Sequence, residues 1–259
     1  VAEGNLAGVA AGLATCGYHP VINAFAIFLA LKSTDQIRND MCYNKLPVII
    51  AGAYGGLSDS FDGASHQAIE DIAIMRAFPN MEVIVPSDAK QAELALDYAL
   101  TRNNPVYIRL NRNAMPDIDT DKTSFFEAKA IKCTEGSDVT IAANGITASM
   151  AIEAASLLKK EAITAEVYSV PFVKPLDTST LFASAKRTGA LVTVEEHLLS
   201  GGFYSAIAEE AFKAQLNCKV APIAIEDKFG ETGPYIPLLA KYGLSAENIV
   251  SVVKKLLNK

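Results

Sequence analysis

Short β-branched apolar runs alternate with stretches whose apolar residues recur at helical spacing along nearly the whole chain. In the first half the strand-like runs are 20–24, 47–52, 81–86 and 105–110, and the helical patterns are 4–14, 28–44, 67–77 and 88–102. Alternation of this kind predicts βαβ units and a mainly parallel sheet. Asp88, ahead of Ala89-Lys90-Gln91, predicts a helix N-cap with glutamine at the capping-box position. From 111 to 126 the pattern breaks: the stretch is polar, contains Pro116, and carries Asp117, Asp119, Asp121 and Lys122, which reads as a linker. Alternation then resumes, with strands at 139–143, 164–170, 190–195 and 219–225 and helices at 147–160, 178–187, 202–214, 234–242 and 245–258. The fold class expected is α/β, as two α/β domains with mainly parallel sheets and no short internal repeat.

Composition narrows the function. With 259 residues, half of them hydrophobic, the chain can bury a substantial core without staples. Its net charge is −6, with lysine and arginine dispersed rather than striped, which argues against a nucleic-acid partner. A site that recognises one anionic group needs only one or two arginines and is compatible with that balance. The four cysteines (Cys16, Cys42, Cys133, Cys218) lie far apart, with no CxxC pair and no zinc-spaced histidine, so a reduced, cytoplasmic protein with no metal site of its own is expected. The longest apolar stretch, 20–31, is about a dozen residues, short of the ~20 that a membrane span needs. No signal peptide opens the chain.

Four constellations could carry chemistry. In the run 3–14, Leu6, Val9 and Leu13 form an apolar face, while Gly4, Gly8 and Gly12 recur every four residues and would let another backbone approach. Glu3 sits at the start of that helix, either as a carboxylate favoured by the dipole or as a site residue. Phe25 and Phe28 are core, or an apolar shelf for a flat heterocycle. The loop 52–67 is long, polar and glycine-rich, and would lie at the carboxyl end of a parallel strand, where open α/β sheets bind ligands. In it Asp62 and His66 offer hydroxyl recognition and proton transfer, or else an Asx turn and a surface histidine. The run 105–112 ends in an arginine beyond a strand, suited to an anionic group or to solvent. No phosphate-binding P-loop and no dinucleotide fingerprint occurs.

The order and spacing of these signals say more than any one of them. Glu3…Phe25-x-x-Phe28…Asp35-Gln36-Ile37-Arg38…Asp62-Gly63-x-Ser65-His66-Gln67…Glu70-Asp71…Arg76-x-x-Pro79-Asn80-Met81…Pro86-x-Asp88 resembles the pyrimidine-binding domain of the transketolase family. Val194-Glu195-Glu196-His197…Gly201-Gly202-Phe203-Tyr204-Ser205-Ala206, followed by Asp227-Lys228-Phe229-Gly230-Glu231-Thr232-Gly233, resembles that family's carboxyl-terminal domain. The resemblance covers nearly the whole chain. It implies a pyrimidine-binding domain over 1–115, its first strand and helix lacking, a linker over 116–126, and a transketolase C-terminal domain over 127–259. It is similar above all to the separately encoded carboxyl-terminal half of split transketolases.

The resemblance also implies a chemistry. Family members use thiamine diphosphate with Mg²⁺ to move a two-carbon ketol unit from a ketose to an aldose. By residue, it implies Glu3 as the catalytic glutamate that hydrogen-bonds the pyrimidine ring nitrogen, and Phe25 and Phe28 as the rings packed on that pyrimidine. Leu31 falls where some members carry a third aromatic. His66 and Asp62 match residues that contact sugar hydroxyls, His66 also counting as catalytic, and Arg112 matches an arginine for the terminal phosphate. Tyr54 stands where a phosphate-contacting histidine is common. The Gly-Asp-Gly…Asn motif for magnesium and diphosphate does not occur here, so those ligands are expected on an amino-terminal transketolase half or subunit, in a homodimer or heterotetramer. The rival implications are a 1-deoxyxylulose-5-phosphate synthase, a 2-oxoacid dehydrogenase beta subunit, or a non-catalytic assembly subunit.

Overall fold

The computed structural model describes residues 2–118 and 120–259. The first half contains α1 (Glu3–Thr15), β1 (Val21–Phe25), α2 (Ala26–Lys32), α3 (Thr34–Gln36), a π-helical turn Ile37–Cys42, β2 (Ile49–Ala53), α4 (Asp71–Ala77), β3 (Glu82–Ile84), α5 (Ala89–Leu100) and β4 (Val106–Arg109). The remainder contains α6 (Lys122–Phe126), β5 (Ile131–Thr134), β6 (Val139–Ala143), α7 (Thr147–Lys160), β7 (Ala165–Ser169), β8 (Phe172–Lys174), α8 (Thr178–Thr188), β9 (Ala190–Leu198), α9 (Phe203–Lys213), β10 (Lys219–Ile225), α10 (Tyr235–Lys241) and α11 (Ala246–Leu257).

These strands form two five-stranded sheets, in the orders β1-β2-β4-β3-β8 and β10-β9-β6-β7-β5. Both are parallel except at one edge, where β8 runs antiparallel to β3 and β5 antiparallel to β7. The α/β expectation is met. Sheets covered on both faces need strands apolar on both faces, and β4, β6 and β7 are buried along their full length. Alternation then splits the first sheet between two cores: Ile50, Val83 and Tyr107 face one, Ile49, Ile84, Val106 and Ile108 the other. The first of these cores continues through Ala142, Tyr168, Leu191 and Phe203, so a single apolar layer joins the two sheets.

Several expectations need correction. The larger apolar residues of α1 are not its buried face. Ala7, Ala10, Ala11 and Ala14 pack inward, while Val9 and Leu13 are 54% and 45% exposed. Both faces are apolar, so periodicity could not choose between them, and the alanine face is the one that lets the helix lie close to its neighbours. Among the described residues Gly8 and Gly12 have open space beside them; only Gly4 has a neighbour, the Gln36 side chain and the Lys32 carbonyl.

The helix expected over 28–44 is broken at Ser33 and widens into the π turn. The helix expected from 67 starts only at Asp71, because the Ala68 N–H and C=O are both committed to Gly56, at 2.9 and 2.8 Å. Residues 122–126, inside the polar stretch, form a helix that buries Phe125 completely. Two short antiparallel edge strands, β5 and β8, went unforeseen; four and three residues are too few to show a period. The Asp88 cap is present: its carboxylate accepts from the Gln91 N–H at 2.7 Å, and Gln91 Oε1 accepts in return from the Ser87 N–H at 2.9 Å.

Candidate active site

The candidate residues gather at the carboxyl ends of β1, β2 and β4. Parallel pairing sets them side by side: Phe25 is in register with Ala53, and Gly52 with Arg109. The segments leaving β2 at Tyr54 and β4 towards Arg112 therefore run next to each other. Gly52 is required there, since a Cβ would strike the Tyr107 ring. Tyr54 holds a left-handed backbone, φ 60°, a conformation uncommon for a residue with a side chain and one that clusters at functional sites.

An aromatic shelf results. Phe25 and Phe28 lie nearly parallel, with centroids 5.6 Å apart and planes 4° apart. The Tyr54 ring meets Phe25 edge-on at 4.5 Å, and the His66 ring closes the same corner at 5.9 Å from Phe25 and 5.2 Å from Phe28. All four rings are half-buried, so each keeps a face or edge towards solvent. His66 is set by a turn, its N–H donating to the Gly63 carbonyl at 2.9 Å, and its Nδ1 lies 2.9 Å from the Ser65 hydroxyl.

Charged groups stand at both ends of the shelf. At one end Glu3 is buried at the start of α1, and the Lys32 ammonium lies 3.7 Å from its carboxylate and 4.1 Å over the Phe28 ring. A cavity of about 460 Å³ opens beside Glu3, lined by Asn5, Leu6, Val9, Asn23 and Ala24. At the other end the Arg112 guanidinium lies 5.0 Å over the Tyr54 ring and is ion-paired with Asp59, which is fully buried. Asp62, in the same loop, is exposed, and Leu31 is 58% exposed, outside the small apolar cluster that Phe25 and Phe28 join.

Behind the loop lies a buried polar network that sequence reading did not resolve. Arg109 lies inside β4, neither in solvent nor open to a ligand: it donates to the Asp71 carboxylate at 2.9 Å and to the carbonyls of Ala68 and Glu196 at 2.8 and 2.9 Å. Tyr107 donates to Asp71 at 2.6 Å. Glu196 accepts from the Leu57 N–H at 2.8 Å and from the Tyr235 hydroxyl at 3.1 Å, and Glu195 accepts the first two N–H groups of α9, from Phe203 and Tyr204. Gly56 has φ 66° and the Glu196 carboxylate where a Cβ would stand, so this close approach admits only glycine. Burial pushes both glutamates up to about 7 and holds His197 down at about 4. The network ties the 54–70 loop to β9, and thus one sheet to the other.

Comparison with known proteins decides the family. Residues 1–117 match the family description "Transketolase, pyrimidine binding domain" and residues 128–249 match "Transketolase, C-terminal domain". A 6-deoxy-6-sulfo-D-fructose transketolase subunit from Clostridium sp. (strain MSTE9) is 40% identical over 96% of this chain and 77% of its own length. The chain belongs to the transketolase family. A solved structure titled "Split gene transketolase, inactive beta4 tetramer" superposes with a TM-score of 0.92 at 44% identity, covering all of this chain and 82% of that one. A 1-deoxy-D-xylulose-5-phosphate synthase from Heliobacterium modesticaldum is 36% identical over 99% of this chain but only 40% of its own. The chain is thus similar to transketolase subunits that are separately encoded and imply an amino-terminal partner subunit, in a family that uses thiamine diphosphate. No described helix is long and apolar enough to cross a membrane. Among the described residues no group of three or more His, Cys, Asp or Glu is placed to hold a metal ion.

In this transketolase-type chain the structure brings Phe25, Phe28, Tyr54 and His66 into mutual contact and joins Glu3 and Arg112 to them through Lys32 and Tyr54. It leaves Leu31 and Asp62 at the periphery. Sequence reading did not single out Asp59. Asp59 stands in a loop rich in Asp and Ser, with no local signal that it would be the buried one.

Proposed function

We propose that this chain carries the pyrimidine-binding and sugar-recognising half of a thiamine diphosphate-dependent transketolase, which moves a two-carbon ketol unit from a ketose to an aldose. The observation that carries the reading is the continuous line Glu3–Lys32–Phe28–Phe25–Tyr54–Arg112, with His66 over its middle. A cation held between a ring face and a buried carboxylate marks a donor set that suits an aminopyrimidine, which offers a flat face and a basic ring nitrogen. Phe25 and Phe28 would hold that ring, and Glu3 would share a proton with its nitrogen. Leu31 would line the shelf's outer edge. When bound, the cofactor supplies the nucleophilic carbon.

His66 is assigned to move a proton at a sugar hydroxyl, with Asp62 binding a neighbouring hydroxyl and Tyr54 and Arg112 binding the far end of the sugar. The relative named for a sulfosugar supports a substrate with an anionic end group. Magnesium and the diphosphate are assigned to the amino-terminal subunit, in a cytoplasmic assembly of two or more copies of each chain, acting on sugars or sugar phosphates of carbohydrate metabolism such as the pentose phosphates. The proposed boundaries are 1–115 and 127–259, with 116–126 between them.

The test is reconstitution with the amino-terminal subunit, thiamine diphosphate and Mg²⁺, followed by an assay of ketol transfer between ketose and aldose pairs. Transfer that Glu3→Gln abolishes without unfolding the chain is expected. Release of carbon dioxide from pyruvate with an aldose phosphate, in place of transfer, would instead support the synthase reading favoured by the Heliobacterium relative.

A further inference from the structure

Arg112 is not a free cation. Its Nη1 donates to Asp59 Oδ1, its own N–H donates to the Ser58 hydroxyl at 3.3 Å, and its guanidinium lies on the Tyr54 ring. Asp59 is 0% exposed, whereas the Arg112 side chain is 45% exposed, so the two partners are unequal: one edge of the guanidinium anchors a buried carboxylate and the rest faces the site. The pair differs from a surface ion pair, whose contribution is near nothing. Asp59 Oδ2 is buried and has no hydrogen-bond partner among the described residues. A carboxylate so poorly solvated depends on its one cation, and leaving it unpaired would be strongly unfavourable. Arg112 therefore stays on Asp59, and the two charges cancel at the mouth of the site.

We propose that Asp59 sets the charge that the Arg112 end of the site accepts, so that it takes sugars whose terminal group carries at most one negative charge over those ending in a dianionic phosphate monoester. This rests on the proposed sugar-transfer reading and adds to it a residue that positions Arg112 and determines specificity. One free edge of a guanidinium makes a bidentate contact with two oxygens of a sulfonate or a carboxylate, and a single negative charge there meets half the repulsion from Asp59 that a dianion meets. A phosphate dianion brings a second charge against the Asp59 carboxylate and finds no second cation on Tyr54, whose hydroxyl is a neutral donor or acceptor. In this loop Asp62 adds another carboxyl rather than a cation.

The test uses the enzyme reconstituted with its amino-terminal subunit and cofactor. Asp59→Asn keeps the hydrogen bond from Arg112 and removes the opposing charge. It is expected to lower KM for a phosphorylated aldose about tenfold, equivalent to 1.4 kcal/mol, with kcat unchanged and with KM for the unphosphorylated analogue unchanged. Inorganic phosphate should likewise inhibit Asp59→Asn at about tenfold lower concentration than the parent, whereas methanesulfonate, with one charge, should gain only about threefold. The double variant Asp59→Asn/Arg112→Gln, which leaves no buried charge behind, should lose the anion effect altogether. Equal KM ratios and equal phosphate inhibition in parent and Asp59→Asn would overturn the proposal. Failure of parent and variants alike to transfer a ketol unit to any sugar would instead overturn the underlying reading.

Discussion

Replacing Glu196 by glutamine tests the buried network through its pH dependence. Burial is the largest cause of the rise of Glu196 to about 7 from an ordinary 4.5; Arg109, the Leu57 N–H and the Tyr235 hydroxyl pull it back, and Asp71 pushes it further. Between those two values the folded chain keeps a proton that the unfolded chain has released. Stability therefore falls as pH rises through this window and is lowest above 7. From pH 6 to pH 8 the loss is about 1 kcal/mol for this one group. Glu195, also at about 7 and for the same first reason, adds a similar amount.

His197 acts in the opposite sense. Burial holds it at about 4 against an ordinary 6.5, so only the unfolded chain takes up its proton at pH 6, and acidification from pH 8 costs less than about 1 kcal/mol. The parent should thus be more stable at pH 6 than at pH 8 by about 1–2 kcal/mol. Glu196→Gln is the clean variant, because an amide oxygen can accept from Leu57 while its NH₂ donates to the Tyr235 oxygen. At Glu195 both oxygens accept backbone N–H groups, and an amide there would set N–H against N–H. Urea unfolding of the purified chain at pH 6, 7 and 8 gives the measurement. Glu196→Gln should remove about 1 kcal/mol of the difference between pH 6 and pH 8 and be the more stable protein at pH 8. Identical pH slopes in parent and variant would refute the argument.

Arg109→Ala leaves Asp71 buried without its cation and should destabilise the chain by about 3–5 kcal/mol in the same urea assay; a loss below about 1 kcal/mol would show that the pair is dispensable. Burial pushes Cys42 up to about 12 while Cys16 is exposed, so iodoacetamide at pH 8 should label Cys16 and leave Cys42 unmodified in the folded chain, as read by peptide mass.

What the sequence by itself determined is what near neighbours encode. Helical and strand periods are local, so the bounds of α7, β6 and β10 were legible to the residue, and the Asp88 cap with them. Motif order in the sequence points to Glu3, Phe25, Phe28, His66 and Arg112, which the structure gathers around one aromatic shelf. The tertiary structure decided everything that depends on residues far apart in the chain. The Arg112–Asp59 pair spans 53 positions and the Leu57–Glu196 bond spans 139. Neither follows from local pattern: sheet register pairs Gly52 with Arg109 and so carries Arg112 to the loop that leaves β2, while the Leu57–Glu196 bond depends on how the two sheets pack together. The same holds for α1, where apolar residues surround the helix and only packing against α2 and β1 selected the alanine face. A charge in a polar loop is solvated by default. Asp59 is desolvated because the chain around it closes, and that closure, not its place among Ser58, Ser60 and Asp62, makes it able to hold an arginine in place.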